Sequence, residues 1–215
     1  MTGLSYDEVV HTYIGAALIT VAATGAFFVD RAGSPAWRQH AWLVLGLFLG
    51  WMVMGSNESW TPPTTGNVWW TPIEHLVTMS GPQSWSSALT RPHVLQHKLS
   101  ALCIVVPALT EWFIRRRPEH PATRYLRWVA PIALLAVAVI FAVHRPAHRQ
   151  HHGMTIDPAA LRSELYQHFV FAAAFLVAGV TAFLARLPAT APRVPPRIWY
   201  AFMALGGFVF VTFRA

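Results

Sequence analysis

Six apolar runs, at residues 12–29, 41–55, 95–114, 125–143, 166–184 and 198–213, constrain this chain more than any motif it contains. The hydrocarbon core of a bilayer is about 30 Å thick and takes about 20 helical residues to cross. Runs near that length, punctuated by Gly33-Ser34-Pro35 and by proline-containing stretches at 118–121, 146–158 and 188–196, predict an all-α integral membrane protein. The expected architecture is one domain over residues 1–215, a bundle of about six transmembrane helices. The second and sixth runs are short, and they are expected to draw in flanking residues such as Trp37 and Trp199.

Composition agrees. Hydrophobic residues make up 54% of the chain and charged residues 12%, whereas soluble domains carry about 25% charged residues. Half of the usual solvating surface is missing, so lipid is the expected outer partner. The net charge of +7 resides in short clusters between the apolar runs. Loop charges that orient a membrane protein are distributed in this way, while a nucleic-acid partner would call for a basic stripe, so none is expected. The first eight residues are acidic and lack the basic start of a signal peptide, and the first run is therefore read as a retained helix.

Between the second and third runs lies a long stretch, 56–92, carrying Trp60, Trp69, Trp70 and Trp85. Disordered segments are depleted in aromatics, so this Trp-rich loop is expected to be ordered at the membrane interface. Pro72-Ile73-Glu74-His75-Leu76-Val77 within it is read as a short interfacial helix.

Six crossings divide the basic residues into two groups. Arg31, Arg38, Arg115, Arg116, Arg117, Arg124, Arg127, Arg186, Arg193 and Arg197 fall on one side; Arg91, Lys98, Arg145, Arg149, Arg162 and Arg214 fall on the other. The positive-inside rule places the larger group in the cytoplasm and both termini outside, on the periplasmic face of a bacterial inner membrane. The histidines divide the opposite way. His11, His75, His93, His97, His144, His148, His151, His152 and His168 fall outside, and only His40 and His120 inside.

Several of the outer histidines are expected at helix ends: His11 at the first, His93 and His97 at the third, His144 at the fourth and His168 at the fifth. Residues four apart share a helical face, so His93 and His97 present two imidazoles from adjacent turns, a spacing that chelates one metal ion. His144 and His148 repeat the spacing across Pro146, and His148-Arg149-Gln150-His151-His152-Gly153-Met154 is dense in nitrogen and thioether donors. Imidazole and thioether without thiolate suit copper better than the oxygen-seeking calcium or magnesium. Cys103 is the only cysteine, which leaves no thiolate cage and no covalent haem attachment.

Other candidates point elsewhere. Glu111 is expected to pair with the Arg115–Arg117 cluster, and Asp30 with Arg31. Met52 and Met54, two residues apart, cannot share a helical face and are read as packing. No nucleophile elbow, phosphate-binding loop, dinucleotide-binding glycine pattern or HExxH is present, and no enzymatic activity is assigned.

The stretch Arg91-Pro92-His93-Val94-Leu95-Gln96-His97-Lys98-Leu99, followed by Val105-Val106-Pro107-Ala108-Leu109, resembles a motif of the CtaG-type family, membrane proteins linked to copper-dependent assembly of cytochrome c oxidase. Tyr166-Gln167-His168-Phe169-Val170-Phe171 is similar to a later helix start in that family. The resemblance implies a copper-ligand role for His93, His97 and His168. This chain carries Val94 where the family pattern has methionine. CopD-type copper proteins are a looser comparison. The boxes His93-x3-His97 and His148-x2-His151-His152 also resemble two of those in membrane di-iron desaturases, although the third box is missing.

Three functional expectations follow. The first is a copper-handling protein with His93, His97, His144 and His168 as ligands and His148, His151, His152 and Met154 as an entry site, supporting respiratory oxidase metallation or copper passage. The second is a b-type haem protein, its axial ligands drawn from His93 or His97 opposite His144 or His168. The third is an accessory subunit of a larger respiratory or other membrane complex, docked through the Trp-rich loop.

Overall fold

A computed structural model describes residues 6–29, 35–55, 92–143, 158–188, 195 and 197–212. They are helical apart from short turns, and no strand occurs among them. Helix α1 spans Tyr6–Thr24 and ends in a π turn, Gly25–Val29; α2 spans Ala36–Gly55 and α3 Pro92–Arg116. A single turn, α4 (Thr123–Leu126), leads into α5 (Val129–Val143), followed by α6 (Pro158–Leu184) and α7 (Arg197–Val211). Among the described residues each apolar run falls mainly on helix, and α2 takes in Trp37 as expected. The segment 56–91, with its four tryptophans, lies outside the described residues.

Four helical segments are long and apolar enough to cross a membrane: Val9–Phe27, Leu95–Arg116, Thr123–Val143 and Leu161–Leu184. Helix α7 is apolar but shorter, and α2, which opens on Trp37-Arg38-Gln39-His40, is not among the four. At about 1.5 Å per residue α3 and α6 exceed the hydrocarbon thickness, while α7 reaches about 22 Å.

The rods form a closed ring in chain order. Each of α1, α2, α3, α5, α6 and α7 packs on its predecessor, and α7 packs back on α1. One buried cluster spans the ring, including Leu18, Leu49, Ala101, Val137, Phe175 and Met203. Neighbours run antiparallel: Gly46 of α2 faces Ala108 of α3 while Gly50 faces Val105, and Gly15 of α1 faces Gly207 of α7 while Gly25 faces Tyr200. Without side chains at Gly46 and Gly50, one turn apart, α2 lies directly on α3, which is how small-x3-small stripes act where lipid removes the usual hydrophobic drive.

The core is apolar, and so is much of the outer surface. Lys98, Ser100 and Glu111 are buried, all on α3. Large apolar side chains are exposed on every rod: Phe27, Val44 and Phe48, Ile132 and Val139, Leu176 and Val180, and Leu205 and Phe208. On α3 the exposed set Leu95, Leu99, Leu102, Val106 and Leu109 follows one helical stripe. Hydroxyls turn inward on their own helices, as Thr20, Thr24, Thr181 and Thr212 each donate to the carbonyl four residues back. Such a local bond satisfies a hydroxyl without water.

Candidate functional site

Antiparallel packing gives the ring two ends of opposite character. The end formed by the C-termini of α1, α3 and α6 with the N-termini of α2, α5 and α7 holds Arg38, Arg115, Arg116, Arg117, Arg124, Arg127, Arg186 and Arg197. The opposite end holds Lys98 and Arg162 among the described basic residues.

At the arginine-rich end Glu111 is buried and accepts a hydrogen bond from Arg186 Nη2 at 2.5 Å, with Arg115 Nη2 at 3.7 Å. The expected partnership with the Arg115–Arg117 cluster is thus only part of the arrangement. The closer partner comes from beyond the end of α6, 75 residues away, a distance that no local spacing reveals. The guanidinium of Arg115 lies over Trp42 and that of Arg186 over Trp199, whose ring stacks on buried Tyr200. Both histidines at this end have structural partners. His40 Nδ1 accepts from Trp112 Nε1 at 3.2 Å, tying α2 to α3, and His120 Nδ1 accepts the backbone N–H of Ala122 in the turn after α3.

The histidine-bearing end contains His11, His97 and His168 among the described side chains, all half-buried. Helix α3 begins at Pro92, a favoured first helical residue because its fixed φ suits a helix and it needs no N–H there. Residues 93 and 97 therefore occupy consecutive turns of one continuous helix, which satisfies the geometric premise of the His93/His97 pair. The His93 side chain lies outside the described residues, as do all of His144, His148, His151, His152 and Met154.

His168 is not at a helix start. Helix α6 begins ten residues earlier, at Pro158, because Arg162, Ser163 and Glu164 extend the helix in a polar stretch that the apolar run alone does not mark. His168 lies about 15 Å along α6 and stacks on Phe141 of α5, with ring centroids 5.9 Å apart. Phe141 and Phe171 both pack edge-on against Phe210 of α7, which in turn stacks on His11 of α1 at 5.3 Å. Beside this cluster Phe141, Gln167, His168, Phe171, Val209 and Phe210 line a small cleft. Gln167 Oε1 is buried there without a hydrogen-bond partner among the described residues, while its Nε2 donates to Ser163 Oγ.

The structure thus brings His168 and His11 to one aromatic cluster and places His97 two rods away from α6 around the ring, across α5. Among the described residues no group of three or more His, Cys, Asp or Glu side chains is arranged to hold a metal.

Lys98, expected among the outer loop charges, is fully buried one residue beyond His97. Its Nζ donates to the Met54 carbonyl at 2.5 Å. A cation is favoured at that position because the last carbonyls of α2 have no intrahelical partner and carry the negative end of the helix dipole. The sequence signal was available: a lysine on the same turn of α3 as an apolar run, facing away from the Leu95–Leu99–Leu102 stripe.

Comparison with known protein-family profiles, characterised proteins and solved structures yields no significant match.

Proposed function

We propose that this chain is an integral protein of a bacterial inner membrane, with six spanning helices, its arginine-rich end in the cytoplasm and both termini in the periplasm. It binds copper at its histidine-bearing end and supports metallation of a respiratory oxidase. The membrane half of this reading is supported by the apolar side chains exposed around the whole ring. A soluble monomer's largest apolar patch is about 300–600 Å² and does not encircle the molecule.

The metal half is carried by one observation: His93 and His97 are one turn apart on a continuous helix at the arginine-poor end. Copper held by that pair would draw a further imidazole from His144, with His148, His151, His152 and Met154 catching the ion first, while His168, stacked on Phe141 two rods away, stays with the aromatic cluster. In this account copper is cargo, and the protein contributes neutral imidazole donors on rigid helices.

Purified protein tests the proposal directly. Resistance of the chain to alkaline extraction from membranes, followed by a colourless, copper-bearing preparation on elemental analysis, is the expected result. A Soret absorption band would replace copper with haem b. A preparation with neither metal nor colour, isolated with other chains, would make the protein an accessory subunit.

A further inference from the structure

The connection between α3 and α5 concentrates charge without neutralising it. Within Arg116–Trp128 lie Arg116, Arg117, Arg124 and Arg127, all exposed, against the single acidic residue Glu119. None of these four arginines has a carboxylate partner among the described residues, in contrast to Arg115 and Arg186, which share Glu111.

The segment is held by its own hydrogen bonds. The His120 N–H donates to the Arg117 carbonyl, the Thr123 N–H to the His120 carbonyl, and Thr123 Oγ1 to the Arg117 carbonyl at 3.0 Å. Aromatic faces alternate with the cations. Arg124 lies 4.5 Å over Tyr125 and also bonds its hydroxyl, and Arg127 lies 4.9 Å over Trp128, which is packed on Phe183 of α6. A guanidinium resting on an aromatic face is oriented by it; Arg127 keeps its N–H edge, and Arg124 the N–H groups not engaged by the Tyr125 hydroxyl, for phosphate oxygens.

From this arrangement we infer that the α3–α5 connection is a seat for anionic phospholipid headgroups, the phosphodiesters fixed by Arg116, Arg117, Arg124 and Arg127 and the acyl chains lying along Tyr125 and Trp128. Clusters of four or more basic residues beside a membrane helix are attracted to anionic lipid surfaces at about fivefold in affinity per basic residue. The inference rests on the membrane reading above, and the two fail separately. A chain released from membranes by alkali refutes the membrane reading, whereas an embedded chain without lipid preference refutes only this one.

The experiment compares the full chain with R116Q/R117Q/R124Q/R127Q in detergent. Phosphatidylglycerol, phosphatidylcholine or inorganic phosphate is titrated in, and thermal midpoint and retained lipid are read by mass spectrometry. Wild type is expected to retain phosphatidylglycerol over phosphatidylcholine and to gain thermal stability only with the former. The variant should match wild type in phosphatidylcholine and lose the phosphatidylglycerol gain. Equal gains in both proteins, no selectivity in wild type, or a full gain from inorganic phosphate would overturn the assignment. If the variant does not fold, wild-type lipid selectivity and its loss at high salt decide the question alone.

Discussion

Glu111 Oε1 and Arg186 Nη2 meet at 2.5 Å, linking the C-terminal turn of α3 to the residue two beyond α6 across a part of the ring where neither helix is the other's sequence neighbour. With both side chains largely buried, removing one partner strands the other's charge. Glu111→Ala is expected to cost about 3 kcal/mol, and Arg186→Ala a similar amount. The double variant should lose clearly less than the sum of the two. Thermal unfolding of the four proteins in detergent checks this, and strict additivity would mean that the pair is not coupled.

The glycine contacts make a graded prediction. A methyl group at Gly15 would collide with the backbone carbonyl of Gly207, while one at Gly50 would collide with the Val105 side chain, which can rotate. Gly15→Ala should cost about 1–3 kcal/mol by overpacking, and Gly50→Ala should cost less. Thermal midpoints of the two variants in one detergent give the order, and a larger loss at Gly50 would contradict the packing described for α1 and α7.

How much of this was legible in the sequence differs from one feature to the next. The six apolar runs became helices because length and apolarity are local properties. The helix ends were less so: α6 begins at Pro158 rather than at residue 166, since a helix can continue in polar residues after leaving the apolar zone. The division of described arginines and histidines between the two ends followed from counting crossings. What could not be read was which helices close the ring, because the Gly15–Gly207 approach joins opposite ends of the chain. Gly46-x3-Gly50 is legible in the sequence as a close-packing stripe. Nor did spacing reveal that His40 and His120 serve Trp112 and the Ala122 turn.

Lys98 offers a test of the buried cation on the α2 terminus. Its ammonium faces the Met54 carbonyl, where positive charge complements the helix end. Lys98→Met removes the hydrogen bond and also the burden of burying a charge, so its net loss should stay within about 2 kcal/mol. Lys98→Glu sets a negative group against carbonyl oxygens and should accumulate poorly. Stability in the order Lys, Met, Glu, measured by thermal midpoint and membrane yield, is the expected result. Glu tolerated better than Met would refute the role given to the dipole.

Orientation is checked by a fusion after Ala215. A periplasm-specific reporter should be active there and a cytoplasm-specific one silent. The reverse would move the histidine-bearing end to the cytoplasm and place the eight described arginines outside.

The metal site is tested most directly by copper occupancy of purified His97→Ala and His152→Ala, measured against wild type by elemental analysis after loading and desalting. In the proposed site the primary ligands are on the first two turns of α3, and the loop histidines have only a capturing role. His97→Ala should therefore lose bound copper while His152→Ala retains most of it. Full occupancy in His97→Ala together with loss in His152→Ala would contradict the account and make the loop the site.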